Sequence, residues 1–178
     1  MENKSSRTFD LLTLGQVLLR LSPPDNERLS RGDTFVKQVG GAELNVAVGA
    51  SLLGLHTGVI SKLPAHDIGS FMKGKIRSFG VSDDFFMYDH SAGARLGIYY
   101  YENGAYPRKP KVIYDRNHSS FFSLDIDEIP EEVYTASKCF HTTGITLALN
   151  EDIRETTIEM IKRFKAAGTL VSFDVNFR

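Results

Sequence analysis

The sequence predicts an α/β fold in which a mostly parallel β-sheet carries flanking helices and a small β-lid. Strand-like and helix-like segments alternate from Phe9 onward, a pattern typical of right-handed βαβ units. The alternation fails at about residues 15–39 and 95–117, where amphipathic strand-like stretches follow one another without a helix between them. We expect these two regions to form the lid. The length of 178 residues suits a single domain.

The sequence of the first half of the chain predicts five strands and two helices. The strands are expected at residues 9–14, 17–21, 34–39, 57–63 and 82–89. The stretch GGAELNVAVGASLLGL, which starts at Gly40, predicts a glycine turn that leads into a helix, with Gly54 placed to end it. This helix is apolar on nearly all sides, so we expect it to be buried. Residues 67–78 predict a second helix with one apolar face.

The second half predicts a hairpin followed by further helices and strands. Residues 96–101 and 111–116 are strand-like, and the loop between them contains an Asn-Gly step and two prolines, which indicates a hairpin. Residues 151–167 have the clearest helical spacing, with Asn150 as the N-cap and Gly168 just after the end. The remaining elements are a short helix at 130–137 and strands at 138–143 and 169–177.

Composition and charge exclude several classes of protein. The net charge is −1 and the isoelectric point about 6.5, which argues against a nucleic-acid or membrane-surface partner. The polar N-terminus lacks the apolar stretch of a signal peptide, and Cys139 is the single cysteine, so we expect a cytoplasmic protein. The five histidines lack the spacing of metal ligands, so we assign no residue to a metal site.

A ligand is expected where the parallel strands end. In open α/β sheets, ligands bind beyond the carboxyl ends of the strands. Three such ends carry glycine or polar residues: Gly40-Gly41, Thr143-Gly144 and the segment from Asp174 to Arg178. A lid over this edge predicts a cleft between the two layers.

The segment GGAELN is the first candidate for ligand contact. Two glycines before a helix allow the backbone to approach a ligand closely and direct the first amide groups outward. The carboxamide of Asn45 is able to bond a hydroxylated ligand; alternatively, Glu43 complements the helix dipole and Asn45 caps a backbone group. The segment is neither a G-x-G-x-x-G dinucleotide fingerprint nor a Walker loop.

The segment KVIYDR is the second candidate. Alternation along a strand places Tyr114 and Arg116 on one face and Asp115 on the other. If the first face looks into the cleft, Arg116 is suited to grip a carboxylate through two parallel hydrogen bonds. The alternative is a surface hairpin whose arginine is solvated.

Taken together, the motifs resemble the ribokinase-like (PfkB) family of carbohydrate kinases from about Phe9 to the end of the chain. The stretch GGAELNVAVGASLLGL is similar to the N-terminal glycine signature of the family, and SKLPAHDIGSFM to the segment that follows it. The stretches KVIYDRNHSS, HTTGITLALNED and SFDVNFR resemble specifically the branch that phosphorylates ketodeoxygluconate.

The resemblance implies a Rossmann-like, ribokinase-like domain that uses ATP with Mg²⁺ to phosphorylate a sugar acid, 2-keto-3-deoxygluconate, beneath the lid. It also implies a homodimer formed through the lid. Arg178 is expected near both the substrate and the transferred phosphate. The implied substrate contacts are Gly41, Ala42, Glu43, Leu44, Asn45, Tyr99, Tyr114, Asp115, Arg116, Ile145 and Arg178. The implied nucleotide contacts are Asn176, Phe177 and Arg178.

Two departures from the family pattern matter. Gln16 stands where the family usually has Glu, which removes a charge near the cleft. The family's GAGD element, which supplies the anion hole and the catalytic base, does not occur in these 178 residues. We therefore expect residues 1–178 to be the N-terminal part of a longer kinase, without a catalytic base and inactive alone.

Three other functions stay open at the level of sequence. A fructose, ribose or nucleoside kinase of the same family is one. A non-catalytic sugar-binding fragment is another. A nicotinamide-dependent oxidoreductase also suits an α/β sheet, but the sequence lacks its glycine fingerprint.

Overall fold

The main layer is a parallel sheet of six strands in a computed structural model that describes residues 7–177. Its strands are β1 (Phe9–Leu14), β4 (Thr57–Pro64), β5 (Val81–Ser82), β6 (Phe86–Asp89), β9 (Ser137–Thr143) and β10 (Leu170–Asp174). The order is β10-β9-β1-β4-β5, and β6 continues beside the second half of β4. The predicted parallel sheet is confirmed.

The second layer is a four-stranded lid made of the two segments that lack crossover helices. Its strands are β2 (Leu18–Ser22), β3 (Val36–Gly40), β7 (Gly97–Glu102) and β8 (Lys111–Asp115), in the order β3-β2-β7-β8. The β2–β3 and β7–β8 pairs are antiparallel, and β2 pairs with β7 in parallel. The β7–β8 pair is the predicted hairpin.

Helices cover the main sheet. They are α1 (Ala42–Leu52), α2 (Asp67–Ser78), α3 (Val133–Ala136), α4 (Gly144–Leu147) and α5 (Glu151–Ala166). The side chain of Asn150 accepts a hydrogen bond from the Ile153 amide at 2.9 Å, so the predicted N-cap of α5 is confirmed. No helix within residues 7–177 is long and apolar enough to cross a bilayer.

Two hydrophobic clusters hold the layers together. One lies under α5, where the Phe140 and Phe164 rings stack with their centroids 4.1 Å apart. The other lies between the sheet, the lid, α1 and α2, and includes Leu19 of the lid. Because the lid shares this second cluster with the main sheet, it packs as part of one body.

The expected burial of α1 is wrong for most of the helix. Only Glu43, Leu44 and Ala47 are buried, whereas Leu52 is 75% exposed and Leu53, just after the helix, is 85% exposed. The helix lies on β1 and β4 with one face, and nothing within residues 7–177 covers the other sides. An apolar sequence therefore indicated the helix correctly but not which of its faces are covered.

Candidate functional site

A cavity of about 280 Å³ lies between the lid and the N-terminus of α1, at the carboxyl ends of the main strands. It is lined by Gln16, Leu18, Arg20, Gly41, Ala42, Glu43, Asn45, Tyr99, Tyr101, Val112, Tyr114, Arg116 and Ile145. Eight of these are residues that the sequence predicted for the substrate site. The structure therefore brings together residues from both candidate segments and from the turn after β9.

Gly41 allows the chain to turn sharply from the lid into α1. Its φ is +143°, in the region that favours glycine, and a Cβ there would lie 2.7 Å from the carbonyl oxygen of Gln16. Asn45 follows in the first turn and lines the cavity. Among residues 7–177 its side chain makes no hydrogen bond, so the backbone-capping alternative finds no support and the carboxamide is free for a ligand.

Glu43 ties the start of α1 to the turn after β9. It is 2% exposed, and its Oε1 accepts hydrogen bonds from the Thr143 hydroxyl and the Thr146 hydroxyl, both at 2.7 Å, and from the Thr143 amide at 3.2 Å. The Thr143 hydroxyl in turn accepts from the Ile145 amide, which fixes that residue at the cavity wall. Glu43 therefore organises the site more than it offers a free carboxyl group to a ligand.

Arg116 presents a guanidinium to the cavity. Its Nε donates to Oε1 of Gln16 at 2.8 Å, while Nη1 and Nη2 have no hydrogen-bond partner among residues 7–177. Burial lowers the pKa of Arg116, and the nearby Tyr114 and Glu43 oppose that shift. Because a guanidinium stays protonated in proteins, the group remains a cation with two free donors. Such a pair of donors matches a carboxylate or a phosphate.

Aromatic rings form the lid side of the cavity. The ring centroids of Tyr99 and Tyr114 lie 5.9 Å apart, and the guanidinium of Arg20 lies 4.4 Å from the ring centroid of Tyr101. Burial raises the pKa of Tyr99, and the charge of Arg20 opposes that rise. The Tyr99 hydroxyl therefore keeps its proton near neutral pH and is able to donate a hydrogen bond.

Some of the residues predicted to contact the substrate or the nucleotide do not line this cavity. Leu44 is 2% exposed and packs in the hydrophobic cluster below the cavity. Asp115 is on the other face of β8, where it pairs with Arg95 at 2.8 Å. Asn176 and Phe177 follow β10 and do not line the cavity, and Phe177 is 93% exposed. Arg178 lies outside the described residues.

Five cavity residues were missed in the sequence: Gln16, Leu18, Arg20, Tyr101 and Val112. Tyr101 lies two residues from Tyr99 on β7, and Val112 lies two residues from Tyr114 on β8. Strand alternation assigns each of these two to the face of its predicted neighbour, so this signal was available. Gln16 was discounted because it departs from the family pattern, and its contacts with the lid are not visible in the sequence.

The part of the chain that the structure describes holds no group of three or more His, Cys, Asp or Glu side chains arranged to bind a metal ion. Beyond β10, the amide of Asn176 donates a hydrogen bond to Oδ1 of Asp174 at 2.8 Å.

A larger groove of about 730 Å³ lies beyond Ser119 and is lined by Asp89, His118 and several serines, among others. It carries no arginine or lysine among its lining residues. The smaller cavity is the stronger candidate for an anionic ligand, since two arginines face it.

This is a two-layer α/β protein, and the cleft beneath the lid presents arginine side chains and groups that bond hydroxyls. Such a cleft is suited to hold a small polar ligand such as a sugar. The chain belongs to the pfkB family of carbohydrate kinases, whose family model matches residues 8–178. Membership of the predicted family is thereby confirmed.

Three individual kinases are similar to this chain over nearly all of its length. The chain is 39% identical over 171 residues to a 2-dehydro-3-deoxygalactonokinase of Haloferax volcanii, covering 96% of this chain and 53% of the relative. It is 31% identical to a 5-dehydro-2-deoxygluconokinase of Clostridium botulinum, covering 98% and 51%. A solved 2-dehydro-3-deoxygluconokinase of Thermotoga maritima superposes with a TM-score of 0.89 at 36% identity, covering 96% and 52%. The chain thus spans about half the length of each of these proteins.

Proposed function

We propose that this chain forms the substrate-binding part of an ATP-dependent kinase that phosphorylates a hydroxyl of 2-keto-3-deoxygluconate, also called 2-dehydro-3-deoxygluconate. The observation that carries the proposal is the free end of the Arg116 guanidinium in the lidded cavity. Its Nη1 and Nη2 are suited to the carboxylate of a sugar acid. The similarity to kinases named for dehydro-deoxy sugars supports the same substrate class.

The charge of the cavity favours an acid over a neutral sugar. Arg20 and Arg116 both line it, and the accepting oxygen of Glu43 is already bonded to two threonines. An anionic ligand therefore meets two guanidinium groups, and a neutral sugar would leave Nη1 and Nη2 of Arg116 without a charged acceptor.

The other lining residues are proposed to orient the sugar. Asn45, Tyr99 and Tyr114 offer hydrogen-bonding groups to hydroxyls of the substrate, while Gly41 and Ala42 offer backbone at the start of α1. Ile145 provides an apolar wall. Holding the sugar in one orientation is the contribution of these residues to phosphoryl transfer.

Phosphoryl transfer needs more than this pocket. ATP supplies the phosphoryl group, and Mg²⁺ neutralises charge on the phosphates. Asn176, Phe177 and Arg178 are proposed to lie on the nucleotide side, and Arg178 is also proposed to contact the substrate. The GAGD element that carries the base in this family is not in the sequence, so residues 1–178 alone are proposed to be inactive.

An acceptor assay on the full-length protein tests the proposal. With ATP and Mg²⁺, we expect kcat/KM for 2-keto-3-deoxygluconate to exceed that for its neutral amide and for fructose by about tenfold or more. Residues 1–178 produced alone should bind the acid in calorimetry without releasing ADP. Equal activity on acid and amide would remove the carboxylate argument, and turnover by residues 1–178 would contradict the incomplete site.

The galacto epimer of the acid is the second candidate substrate. The relative from Haloferax volcanii, at 39% identity, is named for 2-dehydro-3-deoxygalactonate. Both epimers carry the same carboxylate, so Arg116 does not distinguish them. The assay above, run with both epimers, decides between them.

We also propose that the lid forms a homodimer. Outside the cavity it exposes the apolar side chains of Val36 and Ile113, and the loops beside it expose Phe35 and Tyr106. In sedimentation velocity, we expect the full-length protein to be a dimer and Val36→Glu to shift it toward monomer. Leu52→Glu is the matched control, because Leu52 is an exposed apolar residue on α1. A wild-type monomer, or equal effects of the two variants, would contradict a lid interface.

A further inference from the structure

Gly40 ends strand β3 in a backbone conformation that other residues also adopt. Its φ lies outside the left-handed region that favours glycine, whereas the φ of Gly41 lies within it. Gly40 is buried and does not line the cavity. A glycine within a strand often marks a place that another group approaches closely. What lies against Gly40 therefore indicates why a side chain is absent there.

The side chain of Tyr99 lies against Gly40. A Cβ added to Gly40 would be 2.4 Å from the hydroxyl oxygen of Tyr99, 2.9 Å from its Cε1 and 3.0 Å from its Cζ, and these are the three nearest heavy atoms. In the lid, β2 lies between β3, which carries Gly40, and β7, which carries Tyr99. The phenol ring therefore extends across β2, and its hydroxyl ends beside the Cα of Gly40.

This contact determines where the Tyr99 hydroxyl meets a ligand. Gly40 directly precedes Gly41, which lines the cavity at the N-terminus of α1. The hydroxyl thus lies beside the start of α1, next to the backbone proposed to contact the sugar. A methyl group on residue 40 would occupy the place of the hydroxyl. Because the Tyr99 side chain is only half-buried, it has room to swing away, so the displacement should cost little stability.

We infer that Gly40 is a positioning residue, because its lack of a side chain places the Tyr99 hydroxyl at the start of α1 for contact with the substrate. The role differs from that of Gly41, whose φ favours glycine and whose backbone faces the cavity directly. The inference deepens the proposed function and rests on it for the identity of the ligand.

Four variants of the full-length protein test this, with KM and kcat measured for 2-keto-3-deoxygluconate. Gly40→Ala should raise KM about three- to tenfold, the equivalent of one hydrogen bond, and Tyr99→Leu about tenfold or more. Adding Gly40→Ala to Tyr99→Leu should change KM by less than about twofold, because no ring is left to displace. Gly49→Ala is the matched control, since a Cβ there meets nothing within 4 Å, and its KM should stay within about twofold of wild type.

A crystal structure of the Gly40→Ala protein gives a readout that does not depend on activity, because the Tyr99 hydroxyl should leave its place beside residue 40. A wild-type protein without activity on any keto-deoxy sugar acid overturns the proposed function, whereas a Tyr99 that stays in place overturns the role of Gly40. An unchanged KM in Gly40→Ala, or additive effects of the two substitutions, would also overturn that role. If Gly40→Ala does not fold, the double variant with Tyr99→Leu decides: it should fold, and its failure to fold would refute the inference.

Discussion

Replacing Arg116 by alanine is expected to lower kcat/KM for 2-keto-3-deoxygluconate by about 10²-fold or more, mainly through KM. Two charge-assisted hydrogen bonds to a carboxylate contribute about 3 kcal/mol together, and each 1.4 kcal/mol is about tenfold in affinity. The loss should be much smaller for the neutral amide of the same sugar. Steady-state kinetics with both acceptors measures the difference.

Two other variants sharpen this prediction. Arg116→Lys keeps a positive charge but loses the paired donors, so it should retain an intermediate KM for the acid. Arg95→Ala is the matched control, because Arg95 lies two residues before β7 and pairs with Asp115, which is on the opposite face of β8 from Arg116. Its KM should stay within about threefold of wild type. If Arg95→Ala and Arg116→Ala have similar effects, the carboxylate does not bind at Arg116.

The sequence predicted the pocket where local periodicity determines geometry. Alternation along one strand was enough to separate Tyr114 and Arg116 from Asp115, and the structure places them on opposite faces. Likewise, the two glycines before α1 predicted a sharp turn into the helix, and Gly41 has a φ of +143°, a conformation that favours glycine. These features depend on neighbours within a few residues, so a sequence expresses them directly.

Features that depend on distant partners were not predictable in the same way. Gln16 meets Arg116 across 100 positions of sequence, and no local pattern records that contact. Glu43 was interpreted as a helix-dipole residue or a ligand contact, whereas its hydrogen bonds reach Thr143 and Thr146, on and just after β9. In both cases a polar residue is buried because another element, brought close by the fold, supplies its partner.

The bonds of Glu43 lead to the second large effect: Glu43→Ala is expected to lower the free energy of unfolding by about 3 kcal/mol. The substitution leaves two threonine hydroxyls and one amide without their shared acceptor in a buried site, and each unsatisfied group costs about 1–3 kcal/mol before relaxation or entry of water. Urea unfolding of the full-length protein, followed by circular dichroism, measures the change.

The matched substitutions for this prediction are Glu43→Gln and Glu155→Ala. Glutamine keeps an acceptor oxygen for Thr143 and Thr146. Its amide nitrogen then takes the place of Oε2, which lies so close to Gly15 that a Cβ added to this glycine would be 2.2 Å from it. We expect it to cost about 1 kcal/mol. Glu155 is exposed on α5, so its replacement should change stability by less than about 0.5 kcal/mol. If Glu43→Ala is no more destabilising than Glu155→Ala, then the hydrogen bonds of Glu43 do not hold the start of α1 to the turn that carries Ile145.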